Sequence, residues 1–299
     1  MLTGVLFGFA AALMQSVSYV YSAQFICQHK ATPLTLLVLM HLVLGGISLL
    51  ILPFLWHPEL LNVGNYATPL LFTALFYGVG QISLFQAIRA SEASRVSPLL
   101  GLKVLVLALI GLLWFGDSYE LIQWLAVALC ALGAVWLSAS GGRIHGRALF
   151  WVVMACVGYS LSDLSVLYTM RSFEQLPLIH AAAVGVCLCY LICAAASLLL
   201  YPRIKEKHLL LQSTPSALTW LLAMMFLFAC FAEIGVVFGG IVQSSRGLLS
   251  IFLGVFLTWV GFRYAEKMPA KRVFVQRFSA SALMLLAIAM FSLGANDLI

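Results

Sequence analysis

Apolar residues along this chain gather into long runs separated by short polar connections. The runs fall at about 3–27, 33–53, 67–89, 96–115, 119–140, 147–170, 177–201, 216–242, 246–264 and 272–294. A helix needs about 20 mostly apolar residues to cross the hydrocarbon core of a bilayer. The pattern therefore predicts an all-α membrane protein of ten spanning helices, with almost nothing left for a soluble domain. The connections carry chain breakers: Lys30 through Pro33, His57-Pro58, Gly64-Asn65, Gly116 through Ser118, Gly141 through Arg143, Pro202 and Thr214-Pro215. Connections this short make consecutive helices neighbours in the bundle. The first run, Leu2 to Cys27, lacks a basic leading segment and a small-residue cleavage site, so it reads as a retained span rather than a secretory signal.

Composition agrees with the pattern. Hydrophobic residues make up 63% of the 299 residues and charged residues 9%, against about 25% charged in ordinary soluble domains. A surface that faces lipid must be poor in charge, whereas one that faces water cannot be. The formal net charge is +6, but no basic stretch is interleaved with aromatics in the manner of a nucleic-acid surface, which excludes nucleic acid as a partner. The seven cysteines, Cys27, Cys130, Cys156, Cys187, Cys189, Cys193 and Cys230, lie within or at the ends of apolar runs and show no metal-ligand spacing. They read as small packing residues, and no metal or cofactor is expected.

Lys and Arg alternate between connections. Lys30, Arg89 and Arg95, Arg143 and Arg147, Arg203, Lys205 and Lys207, and Lys267, Lys271 and Arg272 follow the odd-numbered runs, while only Arg171 and Arg246 border the even-numbered ones. The positive-inside rule then places the odd connections in the cytoplasm and both termini on the far side of a cell inner membrane.

The two halves also resemble one another. Leu6-Phe7 with Ala11-Ala12 runs parallel to Leu149-Phe150 with Ala155-Cys156, and Phe76 through Arg95 runs beside Phe228 through Arg246 with one gap. The expected organisation is five plus five, with residues 1–142 as the first unit and 143–299 as the second within one membrane domain. Because five is odd, the second copy is inverted, the arrangement that lets a central site open alternately to each side.

Residues Ala87 to Leu137 carry a family resemblance. Small and polar residues (Ser94, Arg95, Val96, Ser97, Pro98) enter the fourth run, an acid follows it, and Gln123-Trp124 opens a small-residue helix through Gly133, with a second-half counterpart from Ser245 to Met290. In this the chain resembles the ten-helix drug/metabolite transporter superfamily, close to its EamA-type branch. It departs from that pattern in having Asp117 where Glu is usual and in lacking a second-half counterpart of Pro98 near Leu249. The resemblance implies a secondary transporter, often an exporter of amino acids, other metabolites or drugs and sometimes an importer of sugars. It implies no catalytic residues.

Ionisable groups within spans cost about 2.5–3.5 kcal/mol on the insertion scale, so each needs a reason. Lys103 lies about 12 Å along its run from the cytoplasmic end, and Asp163 and Glu233 each about 24 Å along theirs, past the midplane. Lys103 is a candidate partner for an anionic substrate group, with snorkelling of its stem to the headgroups as the alternative. Asp163 and Glu233 are candidate proton carriers or contacts for a cationic group, with a structural interhelical hydrogen bond as the alternative. Their different depths argue against a Lys–acid pair. Gln15, Ser18 and Tyr19 share a helix face expected to look inward, and Gln81 and His41 complete the candidate substrate-binding set, with interhelical hydrogen bonding as the plainer reading. Gln81 stands opposite Glu233 in the repeat alignment. Gly4-xxx-Gly8 and Gly235-xxx-Gly239 read as packing within the bundle.

The function class follows by comparison. An intramembrane enzyme would need Gly-x-Ser-x-Gly, His-Glu-x-x-His or paired aspartates, and none of these occurs. A channel would need charged rings or a Gly-rich filter, and a scaffold or receptor long loops or a soluble tail. The expectation is a non-enzymatic carrier, monomeric or homodimeric, that moves a small organic solute by alternating access, coupled to protons or not. The coexistence of Lys103 with two acids points toward an amino-acid-like zwitterion.

Overall fold

The computed structural model describes residues 1–90, 99–116, 118–139 and 146–246, together with 249, 253, 275, 276, 279, 282, 283, 286–291 and 293. Helix α1 covers Leu2–His29 and ends where Lys30 turns left-handed at φ 51°. Helix α2, Pro33–Ile51, starts with Pro33 at its first position, where a missing N–H costs nothing, and Thr32 Oγ1 accepts from Thr35 N at 3.1 Å. Helix α3, Val63–Ala90, tolerates the internal Pro69, and Thr73 Oγ1 donates to the Pro69 carbonyl at 2.9 Å.

The fourth run is not one regular helix. A 3-10 turn at Leu100–Leu102 leads into α4, Lys103–Ile110, which closes in a π-turn at Gly111–Phe115. Helices α5 (Leu121–Ala139), α6 (Gly146–Arg171) and α7 (Leu178–Leu200) follow. The run at 216–242 is also divided: α8, Thr214–Ile234, stops at Gly235, whose φ of 74° strongly favours glycine, and α9, Val236–Ser244, restarts beyond it. The runs at 246–264 and 272–294 lie for the most part outside the described residues. Phe291, from the second of them, is buried and stacks on Phe238 with ring centroids 5.2 Å apart.

Among the described residues there is no strand, and six helices are long and apolar enough to cross a membrane. Large apolar side chains point outward from them: Leu50 is 72% exposed and Ile82 is 62% exposed. In water that shell would be a liability, and in hydrocarbon it is the surface required. The protein is a multi-pass membrane protein.

Three pairings dominate the packing: α1 on α8, α2 on α7 and α3 on α6. Lipid tails are as apolar as Leu, so such contacts gain from close approach and hydrogen bonding rather than from burial alone. Between α3 and α6 the approach is backbone on backbone, because a Cβ built on Gly158 would stand 2.7 Å from the Gly80 nitrogen. Gly4 and Gly8 pack inside the bundle as expected, against Ile234 and Val242. Of the second glycine pair, Gly239 packs against Phe231, but Gly235 is the helix break itself.

Candidate functional site

Four buried polar residues from four helices form one chain of contacts. Lys103 Nζ, from the first turn of α4, donates to Asp163 Oδ2 of α6 at 2.7 Å and to Gln243 Oε1 of α9 at 2.5 Å. Gln243 Nε2 in turn donates to Gln15 Oε1 of α1 at 3.2 Å. Each member satisfies another, as a buried polar network must if it is not to destabilise the fold. A buried pair of this kind holds because neither charge is left alone.

The ion pair reverses the expectation drawn from depth. The depth of Lys103 is counted from an entry at about residue 96, but the packing sets its level directly: Ser160 Oγ of α6 donates to the Lys103 carbonyl at 3.1 Å. Lys103 is therefore level with Ser160, less than one turn from Asp163. The Lys103 stem, which could have snorkelled, instead reaches the carboxylate.

The network opens onto a cavity of about 260 Å³. Gln15, Ser18 and Tyr19 line it together, so the shared face of α1 does look inward, and Gln81, Lys103, Asp163 and Gln243 line it as well. Tyr77, Tyr159, Phe85, Tyr190 and Phe228 supply an aromatic wall. Trp220 also faces the cavity, with its Nε1 donating to Tyr190 OH at 2.6 Å.

Two expected residues lie elsewhere. His41 is buried behind the wall, with Nδ1 3.1 Å from Ser197 Oγ and Nε2 3.4 Å from Tyr77 OH. Its contacts are the interhelical hydrogen bonds of the plainer reading. Glu233 is exposed and takes no part in the cavity lining. Counting from Thr214, it lies about 28 Å along α8, one residue before the helix ends at Ile234. Tyr168 falls outside this cavity too, beside Arg171, whose Cζ lies 5.4 Å from its ring centroid.

The structure adds residues that the sequence reading passed over. Gln243 is one. Arg246 is the other: it lines the cavity, its Nη1 donates to Tyr19 OH at 3.3 Å, and its Cζ stands 6.0 Å from the Tyr19 ring centroid. The signal for Arg246 was present, since it borders a connection on the side where basic residues are otherwise scarce.

Serine hydroxyls tie the elements around this cavity in two matching sets. Ser18 Oγ of α1 donates to the Ser216 carbonyl of α8 at 2.9 Å, and Ser162 Oγ of α6 donates to the Thr73 carbonyl of α3 at 3.0 Å. Ser16 Oγ donates to the Arg246 carbonyl at 3.3 Å, as Ser160 Oγ does to that of Lys103.

Residues 2–139 match the model of the EamA-like transporter family. The match covers α1 through α5, which include Gln15, Tyr19, Gln81 and Lys103, and it names the same branch that the residues around Ala87–Leu137 resemble. A relative from Sinorhizobium sp, described as an uncharacterized transporter in the cobO 3' region, is 35% identical over 69 residues, 23% of this chain and 49% of the relative. The matched part thus spans about half the length of that curated relative. A solved structure described only as "Crystal structure of protein" superposes with a TM-score of 0.64 at 18% identity, over 99% of this chain and 98% of the other. At that identity the likeness is one of fold, and it extends across the second half, beyond the residues of the EamA-like match.

Proposed function

We propose that this EamA-like protein is a secondary transporter that carries a small organic solute through the central cavity by alternating access. The carrying observation is the matched pair of serine contacts around that cavity. An operation that exchanges α1 with α6 and α3 with α8 turns Ser18–Ser216 into Ser162–Thr73, and Ser16–Arg246 into Ser160–Lys103. It also exchanges the α1–α8 interface with α3–α6 and returns α2–α7 to itself. This supports two inverted five-helix repeats, residues 1–142 and 143–299, in a ten-helix bundle, with the cavity on their shared axis. In this register Lys103 answers to Arg246 and Thr73 to Ser216, which displaces the Gln81–Glu233 equivalence drawn from sequence.

The cavity is enclosed by helices of both halves, so rocking of one repeat against the other would expose it to each side in turn. Lys103, Asp163, Gln15, Tyr19 and Gln81 are the residues proposed to meet the solute, and a coupling proton would travel through Asp163. The curated relative described as a transporter supports the same activity. A carrier runs down the combined gradients of its solutes, so the proposed direction, export, rests on the family resemblance. The alternation of basic connections supports an inner-membrane location with both termini outside the cytoplasm.

The test is flux across proteoliposomes of the purified protein, with labelled amino acids, organic acids, sugars and cationic drugs, with and without an imposed pH gradient. Saturable flux of one class, lost in Asp163→Asn, is the expected result. Flux that is absent for every class in a folded, reconstituted protein would overturn the carrier reading.

A further inference from the structure

The two repeats, matched in the register proposed above, differ at one functional position. In one set a cation on the short helix faces a carboxylate: Lys103 and Asp163, 2.7 Å apart. In the other set the cation is Arg246 and the residue at the place of Asp163 is Tyr19, one position after Ser18 as Asp163 is one position after Ser162. Arg246 reaches Tyr19 as Lys103 reaches Asp163, but a phenol does not neutralise a guanidinium. Among the described residues lining the cavity, the charged ones are Lys103, Arg246 and Asp163. Lys103 and Asp163 cancel, so the described lining keeps one unbalanced positive charge, and that charge is on Arg246.

A half-buried guanidinium with N–H groups to spare is a fork for a carboxylate, which it binds through two parallel hydrogen bonds. Tyr19 OH lies beside it and can add a third donor. The rest of the cavity wall is largely aromatic and aliphatic, with Trp220 5.9 Å from the Tyr19 ring and Tyr159, Phe85 and Phe228 also in the lining. Such a wall accepts a flat apolar body. A substrate ammonium group is held best by a carboxylate, and the one in the described lining, Asp163, is already committed to Lys103. Resting on the carrier reading above, we infer that the transported class is an amphipathic organic monoanion. Its carboxylate pairs with Arg246 and Tyr19, its apolar or aromatic body lies against the wall, and it carries no compensating ammonium. This replaces the zwitterion suggested by sequence.

The test is calorimetric titration of the purified protein in nanodiscs with four probes of one shape: phenylacetate, phenylacetamide, phenethylamine and phenylalanine. Phenylacetate is expected to bind about tenfold or more tightly than the other three, the size of a charge-assisted hydrogen-bonded contact. Arg246→Gln should abolish that preference, and Arg246→Lys, which keeps the charge, should retain most of it. Tyr19→Asp gives the second set the carboxylate of the first. It should remove the preference in a protein that remains monodisperse. Equal or tighter binding of phenylalanine, phenylacetamide or phenethylamine, preference surviving in Arg246→Gln, or no binding of phenylacetate would each overturn the inference. Flux of the same probes in proteoliposomes separates the two readings. Saturable flux favouring a cation or neutral probe sinks the anion inference and leaves the carrier, whereas anion-selective binding without flux of any solute sinks the carrier and leaves the anion site.

Discussion

Lys103 Nζ stands 2.7 Å from Asp163 Oδ2 in the middle of the bundle, with both side chains about nine-tenths buried. Removing one member of a buried pair strands the other, which costs about 3–5 kcal/mol, whereas replacing both with apolar side chains of similar volume is often neutral. Lys103→Met and Asp163→Leu should each lower the thermal midpoint of the detergent-solubilised protein sharply. The double variant should recover at least half of the loss. Additive losses in the double variant would mean that the two residues act separately.

The two acids once paired in expectation now separate. Asp163 lines the cavity and holds Lys103, whereas Glu233 is exposed in the last turn of α8, next to the glycine that ends it. Glu233→Gln is expected to keep flux within about twofold of the parent, because Gln keeps the size of Glu and the Cβ that packs against Gly4, and the exposed head group is outside the cavity. Asp163→Asn should lose it. A side-by-side measurement of initial rates in proteoliposomes checks this, and equal losses in both variants would return Glu233 to the transport path.

How far the sequence could be read depends on which physical rule each feature obeys. Helix bounds were accessible because hydrocarbon thickness fixes the length of an apolar run, and α2, expected at 33–53, is found at Pro33–Ile51. The inward face of α1 was accessible because Gln15, Ser18 and Tyr19 fall three and four apart. What the runs could not convey was interruption within them. The break at Gly235 leaves hydropathy almost unchanged, and the contacts that bring Lys103 level with Ser160 and Asp163 come from packing between helices that no apolar run records. The partners of Arg246 and Gln243 come from helices distant in sequence, and only the fold brings them to Tyr19 and Gln15.

The α3–α6 interface offers a test of packing. A Cβ at Gly158 would meet the backbone of Gly80 at 2.7 Å, where no rotamer change can make room. Gly158→Ala should destabilise by about 1–3 kcal/mol, the usual cost of overpacking. Gly46→Ala on α2, where nothing lies within 4 Å, should be neutral or gain up to about 1 kcal/mol from helix propensity. Thermal melts of the two variants beside the parent decide it. Equal stability of the two would mean that α3 and α6 stand farther apart than described.

Orientation can be tested through the connections. Lys30 after α1 and Lys205 after α7 belong to basic connections, whereas Asn62 before α3 and Glu174 after α6 belong to connections nearly free of Lys and Arg, and all four residues are exposed. Moving Lys or Arg across an energised membrane is unfavourable, and the bias counts most in short connections near span ends. Of the seven cysteines six are buried and Cys27 is exposed, so Cys27→Ser provides a background nearly silent to a membrane-impermeant maleimide. In that background Asn62→Cys and Glu174→Cys should label in intact cells with a permeabilised outer layer. Lys30→Cys and Lys205→Cys should label only after the inner membrane is opened. The reverse pattern would invert the molecule, with the cavity and its ion pair unchanged but every assignment of side exchanged. Labelling of all four from outside would mean that α1 and α7 do not cross in the sense their basic ends dictate.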